Sequence, residues 1–418
     1  MSASPGTGQR DVVDKSLVNS GAVTSIDLTD RIREFLSEHA EPVGDEPRLG
    51  SGMFDLHTGS GDLGDVFEPS RAFQAALFAA GLAGLSVPVA YGGQGLDHEA
   101  ERLFAHEAAA YRIPHPMPLS VGLGLAVPTL LAHGTEAQKH EHIEETLAAR
   151  HVWCQLFSEP EAGSDLAGLR TRALRRGGGW VITGQKVWTS FATFAQFGLL
   201  LARTDPDVPK HQGISMFVLP MDAPGVEIHP LREMTGGRHF NEVFLNDVAL
   251  PNDAMIGGEG EGWKAANTTL GAERGEVAGT GTGQAQALVE LARRTGRSQD
   301  PTVRQALMRL WTTEVILRAL SGRGRAARAL GRAPGPEGSL GKLLSAQLNQ
   351  RSAELACELV GAASTAWQTD RPEDELFSYE LMYSRMYSIA GGTNEIQRNI
   401  IGERVLGLPR EPRSLPRP

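Results

Sequence analysis

The hydrophobic period of this chain changes twice, and that double change limits its possible folds more than any other feature. From Val23 to Arg150 apolar residues recur mainly at helical spacing. From about Trp153 to Pro251 they alternate at every second residue, and after Trp263 the helical spacing returns and persists to about Leu406. The middle stretch reads as the runs GWVITGQKVWTSF, FGLLLART, ISMFVLP, GVEIHPL and NEVFLNDVAL, parted by Gly, Pro, Asp and Asn with no helix between them. Several short strands in succession point to a compact barrel or sandwich. The expected class is α+β. A mobile tail is expected over 1–22, a helical domain over 23–152, a β domain over 153–256, a helical bundle over 257–410 and a second tail over 411–418. No repeat at a solenoid period is present.

Composition narrows the function. With 418 residues and a formal charge of -10, the chain lacks the basic excess that nucleic-acid binding needs to displace counterions from phosphates. It has no apolar run near the roughly 18 residues of a membrane span, and its first twenty residues lack a secretory apolar core. A cytoplasmic protein is expected. Cys154 and Cys357 are too few for a disulfide framework and read as free buried thiols. Gly279-Thr280-Gly281-Thr282-Gly283 imitates a nucleotide loop, but it follows a helical stretch rather than a strand, so close helix packing is the better reading. His133, His140 and His142 are not spaced as metal ligands, because an i,i+2 pair faces different sides of a helix; a surface position is expected.

The chemistry-bearing segments lie in and after the β region. They are CQLFSEPEAGSD (154–165), GQKVWTS (184–190), ELVGAAS (358–364) and GGTNEIQR (391–398). A strand end exposes N–H and C=O groups at fixed spacing, suited to the donor and acceptor edge of a flat heterocycle, and an indole covers such a ring and excludes water. Read alone, the last segment is a Gly-Gly break, an N-capping Thr393 and an amphipathic helix. Together the four resemble motifs of the flavin-dependent acyl-CoA dehydrogenases, and the resemblance covers roughly residues 75 to 410. It implies an N-terminal helical domain, a central β domain, a C-terminal four-helix bundle and bound FAD. It also implies flavin or substrate contacts at Leu156, Phe157, Ser158, Gly163 and Ser164, a ring neighbour at Trp188, the N5 contact at Ser190, and a cofactor-binding position at Thr189, where the family usually has isoleucine. Further cofactor contacts follow at Gly361, Thr393 and Glu395, with Gly391 and Gly392 beside the thioester.

The family's usual catalytic glutamate, which opens the last motif, is here Gly391. Glycine cannot remove a proton, and a general base is worth roughly 100- to 10,000-fold in rate. Members resembling the isovaleryl-CoA and long-chain enzymes place the base in an L-x-x-E-R helix instead. This chain has Leu270-Gly271-Ala272-Glu273-Arg274 in matching register. By that resemblance Glu273 is the base, Arg274 adjoins the CoA portion, and the Gly391 N–H helps bind the thioester oxygen. Without it, Glu273 reads as a solvated carboxylate in a helical charge pattern.

The resemblance further implies conversion of an acyl-CoA to its trans-2-enoyl product, electron delivery to an electron-transfer flavoprotein or similar acceptor, and a homotetramer or dimer. Ala390, Gly391 and Gly392 leave room for a branched or bulky acyl group. The family's R-x-x-F-G turn has no clean counterpart, with Arg294 and Arg297 as substitutes, and the ten arginines from Arg293 to Arg332 read as solvated or interface residues. Three alternatives stay open: a non-catalytic partner subunit of a hetero-oligomer, a flavin monooxygenase on the same fold, and a dehydrogenase of acyl-carrier-protein thioesters.

Overall fold

The computed structural model describes residues 25–44, 63–278, 283–329, 335–336, 338–365 and 372–410. Both expected tails and the loop-like segment up to Thr282 lie outside these residues. Six helices come first: α1 (Ser25–His39), α2 (Gly64–Ala79), α3 (His98–Ala108), α4 (Met117–Ser120), α5 (Val127–His133) and α6 (Glu136–Leu147). A two-residue ladder pairs β1 (Glu41–Pro42) with β2 (Tyr111–Arg112). The start of α6 carries a capping box, in which Thr135 and Gln138 satisfy each other's backbone donors.

The β domain contains β3 (Trp153–Leu156), β4 (Arg172–Arg176), β5 (Gly179–Ser190), β6 (Phe197–Arg203), β7 (Ile214–Pro220), β8 (Val226–Pro230), β9 (Phe240–Pro251) and β10 (Met255–Ile256). Its order is β10-β7-β6-β4-β5-β9-β8, with β3 parallel to β6. Alternation along the strands sorts two cores. Leu200 and Ala202 of β6, Phe217 and Leu219 of β7, and Cys154 and Leu156 of β3 face Trp180, Ile182, Val243 and Leu245. Their neighbours Leu199, Leu201, Met216, Val218 and Trp153 turn the other way, onto Val121, Leu125, Leu130 and Ile143 of the helical domain. β6 and β7 are thus covered on both faces, which is why they read as nearly unbroken apolar runs. β4 escaped the sequence reading because only Ala173 of its five residues is buried and three of the others are arginines.

The C-terminal helices are α7 (Gly262–Ala278), α8 (Gln284–Arg294), α9 (Pro301–Ala329), α10 (Gly338–Val360), α11 (Pro372–Tyr383) and α12 (Asn394–Ile400). α10 is central, packed against α7, α8, α9, α11 and α12. α7 ties the domains together. A Cβ on Gly262 would stand 2.5 Å from the Ser215 backbone, so only glycine lets the helix start directly on β7. Thr269 and Thr129 are hydrogen-bonded at 2.8 Å in the interior, and His133 meets Thr268 at 2.7 Å. Contrary to the surface expectation for the histidines, His142 is buried at 3.3 Å from His151; His140 is exposed.

Candidate active site

β3 runs out of the sheet into the turn at 157–165, and a buried ion pair fixes that turn to β5. Lys186, fully inaccessible, donates to Glu159 at 2.8 Å and to the Phe157 carbonyl at 3.0 Å. The other Glu159 contacts are the N–H groups of Arg170 and Thr171, at 2.6 and 2.9 Å. Burial would raise the Glu159 carboxyl, but the Lys186 charge and these donors hold it below its ordinary value. Burial pulls Lys186 down to about 8. A charge pair this dry is worth keeping where it fixes geometry, and here the Val187 N–H donates to the Ser158 carbonyl at 3.0 Å. Sequence reasoning assigned no role to Glu159 or Lys186, although both letters stand inside the quoted motifs.

One residue beyond Lys186 the ladder to β9 slips: the register shifts between Lys186 and Thr189. Trp188 occupies the slip with φ +61°, a conformation that costs a side-chain-bearing residue of order 1–3 kcal/mol. The bulge turns its indole outward. Trp153 and Trp180 are 1% and 2% exposed, whereas Trp188 is 61% exposed and touches Phe240 edge-on. Thr189 points inward and is buried, its carbonyl accepting from Asn241 at 3.0 Å; Ser190 is half-buried.

Period-two alternation on β3 sets Gln155 on the same face as Trp153, toward α7. There its amide donates to Glu273 Oε2 at 3.4 Å, and the Gly391 N–H donates to Glu273 Oε1 at 3.0 Å. The residue retains some accessible surface although its carboxylate is deeply enclosed. Burial pushes the Glu273 carboxyl above the ordinary glutamate range, against the opposing effects of Gln155, the Gly391 N–H, Arg274 and Lys342. Burial likewise pulls the Arg274 guanidinium down. Gln155 was missed in sequence; its signal was a polar residue at an inward-facing strand position.

The donor turn is built for glycine. Gly391 and Gly392 have φ of +67° and +86°, a region other residues avoid. Gln397, fully buried, donates to the carbonyls of both at 2.9 and 3.1 Å. Thr393 caps α12 by accepting from the Ile396 N–H at 3.3 Å.

The remaining residues fall in different places. Leu156 and Phe157 bury their side chains in the cores, and the Phe157 carbonyl is taken by Lys186. Gly163 and Ser164 are exposed on the turn, and a Cβ on Gly163 would meet open space. Glu395 is exposed and paired with Arg398 at 2.8 Å. Gly361 lies just past the end of α10 far from Lys342, about 28 Å along the helix, so one chain does not bring it to Glu273. Arg297 is engaged with Asp300 and Glu358 at 2.8 and 3.3 Å. Cys154 is buried beside Met221, and burial raises its thiol strongly. The described residues contain no group of metal ligands and no helix long and apolar enough to cross a membrane.

Three family models match this architecture in order: the acyl-CoA dehydrogenase N-terminal domain over residues 25–150, the middle domain over 154–248 and the C-terminal domain over 260–406. The chain belongs to the acyl-CoA dehydrogenase family, whose members are FAD-dependent oxidoreductases acting on acyl-CoA. Among its relatives is acyl-CoA dehydrogenase IpdE1 of Mycobacterium tuberculosis, 40% identical over 84% of this chain and 91% of the relative. Acyl-CoA dehydrogenase FadE34 of the same organism is also 40% identical, over 82% of this chain; the match spans about half, 47%, of that longer protein. Among solved structures, the Tcur3481-Tcur3483 steroid ACAD is similar with a TM-score of 0.77 at 26% identity, covering 94% of this chain and all of that one. Butyryl-CoA dehydrogenase from Megasphaera elsdenii shares the fold, with a TM-score of 0.72. The site fits the family's cofactor: the exposed Trp188 indole follows directly on Lys186 and Val187, which hold the Ser158 turn.

Proposed function

We propose that the chain oxidises an acyl-CoA thioester at its α and β carbons, with Glu273 as the base that takes the α proton. The observation that carries this is the pairing of Glu273 with Gln155 and the Gly391 N–H across three separate elements. A raised pKa suits a carboxylate that must accept a proton from carbon, and a deep carboxylate with two donors argues against the solvated-charge reading and the silent-subunit alternative. It also supports placing the chain in the subgroup with the L-x-x-E-R base.

FAD, when bound, supplies the acceptor for the hydride that leaves the β carbon. Trp188 would cover the ring, with Ser190, Ser158 and main-chain groups of Leu156 and Phe157 along its edge and Thr393 and Glu395 nearby. Gly163 and Ser164 would line the cofactor and thioester, and Gly361 would serve the adenosine part at a subunit boundary. The Gly391 N–H is the donor available to a thioester oxygen once the carboxylate turns to the α carbon; Gly392 extends that opening and Arg274 offers a cation to the CoA portion. The Gly391–Gly392 turn removes side-chain bulk, and a similar structure is described as a steroid ACAD. Both support a cyclic or otherwise bulky acyl group. A cytoplasmic homotetramer or dimer passing electrons to an electron-transfer flavoprotein completes the proposal.

The test is anaerobic titration of the purified flavoprotein with straight, branched and ring-bearing acyl-CoAs. Bleaching of the flavin, fastest with ring-bearing thioesters, is the expected result. Highest catalytic efficiency with short straight chains would refute the bulky-substrate reading.

A further inference from the structure

Lys342 of α10 is fully inaccessible, yet among the described residues it forms no ion pair, unlike the equally buried Lys186 with Glu159. Its ammonium donates to Asn394 Oδ1 at 3.2 Å. An ammonium carries three donors, and burying it without an ion-pair partner is costly unless its position serves something. Asn394 is the first residue of α12, directly after the Gly391–Gly392 turn and its cap Thr393. The turn's N–H is the one that reaches Glu273. Lys342 therefore stands behind the turn at the end of a short chain of contacts leading to the carboxylate.

We propose that Lys342 is a positioning residue for Glu273: through Asn394 it fixes the glycine turn that holds the carboxylate, and it sets a buried positive charge behind it. The inference rests on the reading of Glu273 as the base. The charges around Lys342 support the assignment. From α7 comes Glu273, whose own neighbour is Arg274, and from α12 comes Glu395, itself paired with Arg398. On α9, Glu314 is occupied by the Ala285 N–H at 2.8 Å; Arg385, which follows α11, is paired with Glu354 at 3.0 Å; and on α8 Glu290 is paired with Arg293 at 3.1 Å. Glu380 of α11 lies with Gln284 and Asn349, toward α8. Burial pulls Lys342 down to about 8, with Glu395 and Glu273 opposing.

The experiment is an infrared pH titration of the substrate-free holoenzyme, following the protonated-carboxyl band that disappears in Glu273→Gln. In Lys342→Met and Lys342→Gln the midpoint of that band should move upward by roughly half to one pH unit, because a nearby cation favours the ionised carboxylate. The acid limb of kcat/KM should move with it. Lys342→Arg, which keeps the charge, should restore both. If the neutral variants do not fold, Asn394→Ala, which frees the turn from the ammonium, should give an upward shift of the same sign. An unchanged midpoint in whichever of these variants folds overturns the proposal. The band reports Glu273 protonation whether or not this residue is the base, so a failure here is distinguishable from failure of the proposed function.

Discussion

The Gly391 N–H donates to Glu273 Oε1 at 3.0 Å, joining residues 118 positions apart. The position that lost the family's usual carboxylate is thus bonded to the carboxylate proposed to replace it. Gly391 makes this contact with φ +67°, where a Cβ costs roughly 1–2 kcal/mol. Gly391→Ala is expected to lose about that much stability in urea titration, and to lower kcat more than it raises KM. Wild-type kcat in a folded Ala variant would show that the turn is not needed in this form.

Gln155 is the second donor to Glu273, at 3.4 Å. Its hydrogen bond opposes the upward push of burial on the carboxyl. Gln155→Leu removes it, so the carboxyl should protonate at still higher pH and the acid limb of the kcat/KM profile should move up. The variant should bind FAD as tightly as wild type. A profile identical to wild type would mean that Gln155 does not govern the carboxylate.

The Lys186–Glu159 pair predicts non-additivity. Lys186→Met leaves a buried carboxylate without its counter-charge, which typically costs about 3–5 kcal/mol, whereas removing both charges is far milder. The double variant Lys186→Met with Glu159→Gln should therefore unfold at a higher temperature than Lys186→Met alone. Because the folded carboxyl is held below its ordinary value, Glu159 contributes stability that is complete above that ordinary value and lost as pH falls through the lowered one. The gap between wild type and the double variant should narrow in that acid window.

Trp188 combines high exposure with a strained φ. In the apoprotein its side chain contributes little burial, so Trp188→Gly should leave the melting temperature of flavin-free protein unchanged or higher. The same change should weaken FAD retention in equilibrium dialysis by roughly tenfold or more, since a covering aromatic ring contributes about 0.5–1.5 kcal/mol beyond its buried area. Unaltered FAD affinity would remove Trp188 from the cofactor site.

Much of this was legible in the chain because it is local. The two changes of period marked where helices give way to strands and strands to helices, and the short apolar runs ISMFVLP and FGLLLART set strands at β7 and β6 where they occur. Glu273 was placed on a helix beginning near Trp263, and α7 begins at Gly262. What was not legible is which elements meet. Gln155 and Lys342 gain meaning only from contacts with residues far along the chain, and Phe157 gave no sign that its ring would turn inward while its carbonyl held Lys186. His142 shows the same limit: helical spacing gave its face, but the strand packed against that face decided its burial.

The most direct measurement is anaerobic stopped-flow reduction of the bound flavin in Glu273→Gln. The amide keeps the shape and an acceptor for the Gly391 N–H but cannot take a proton. Flavin content should equal wild type, while the rate of bleaching by a good acyl-CoA substrate falls roughly 100- to 10,000-fold. Bleaching at the wild-type rate would contradict the assignment of Glu273 as the base.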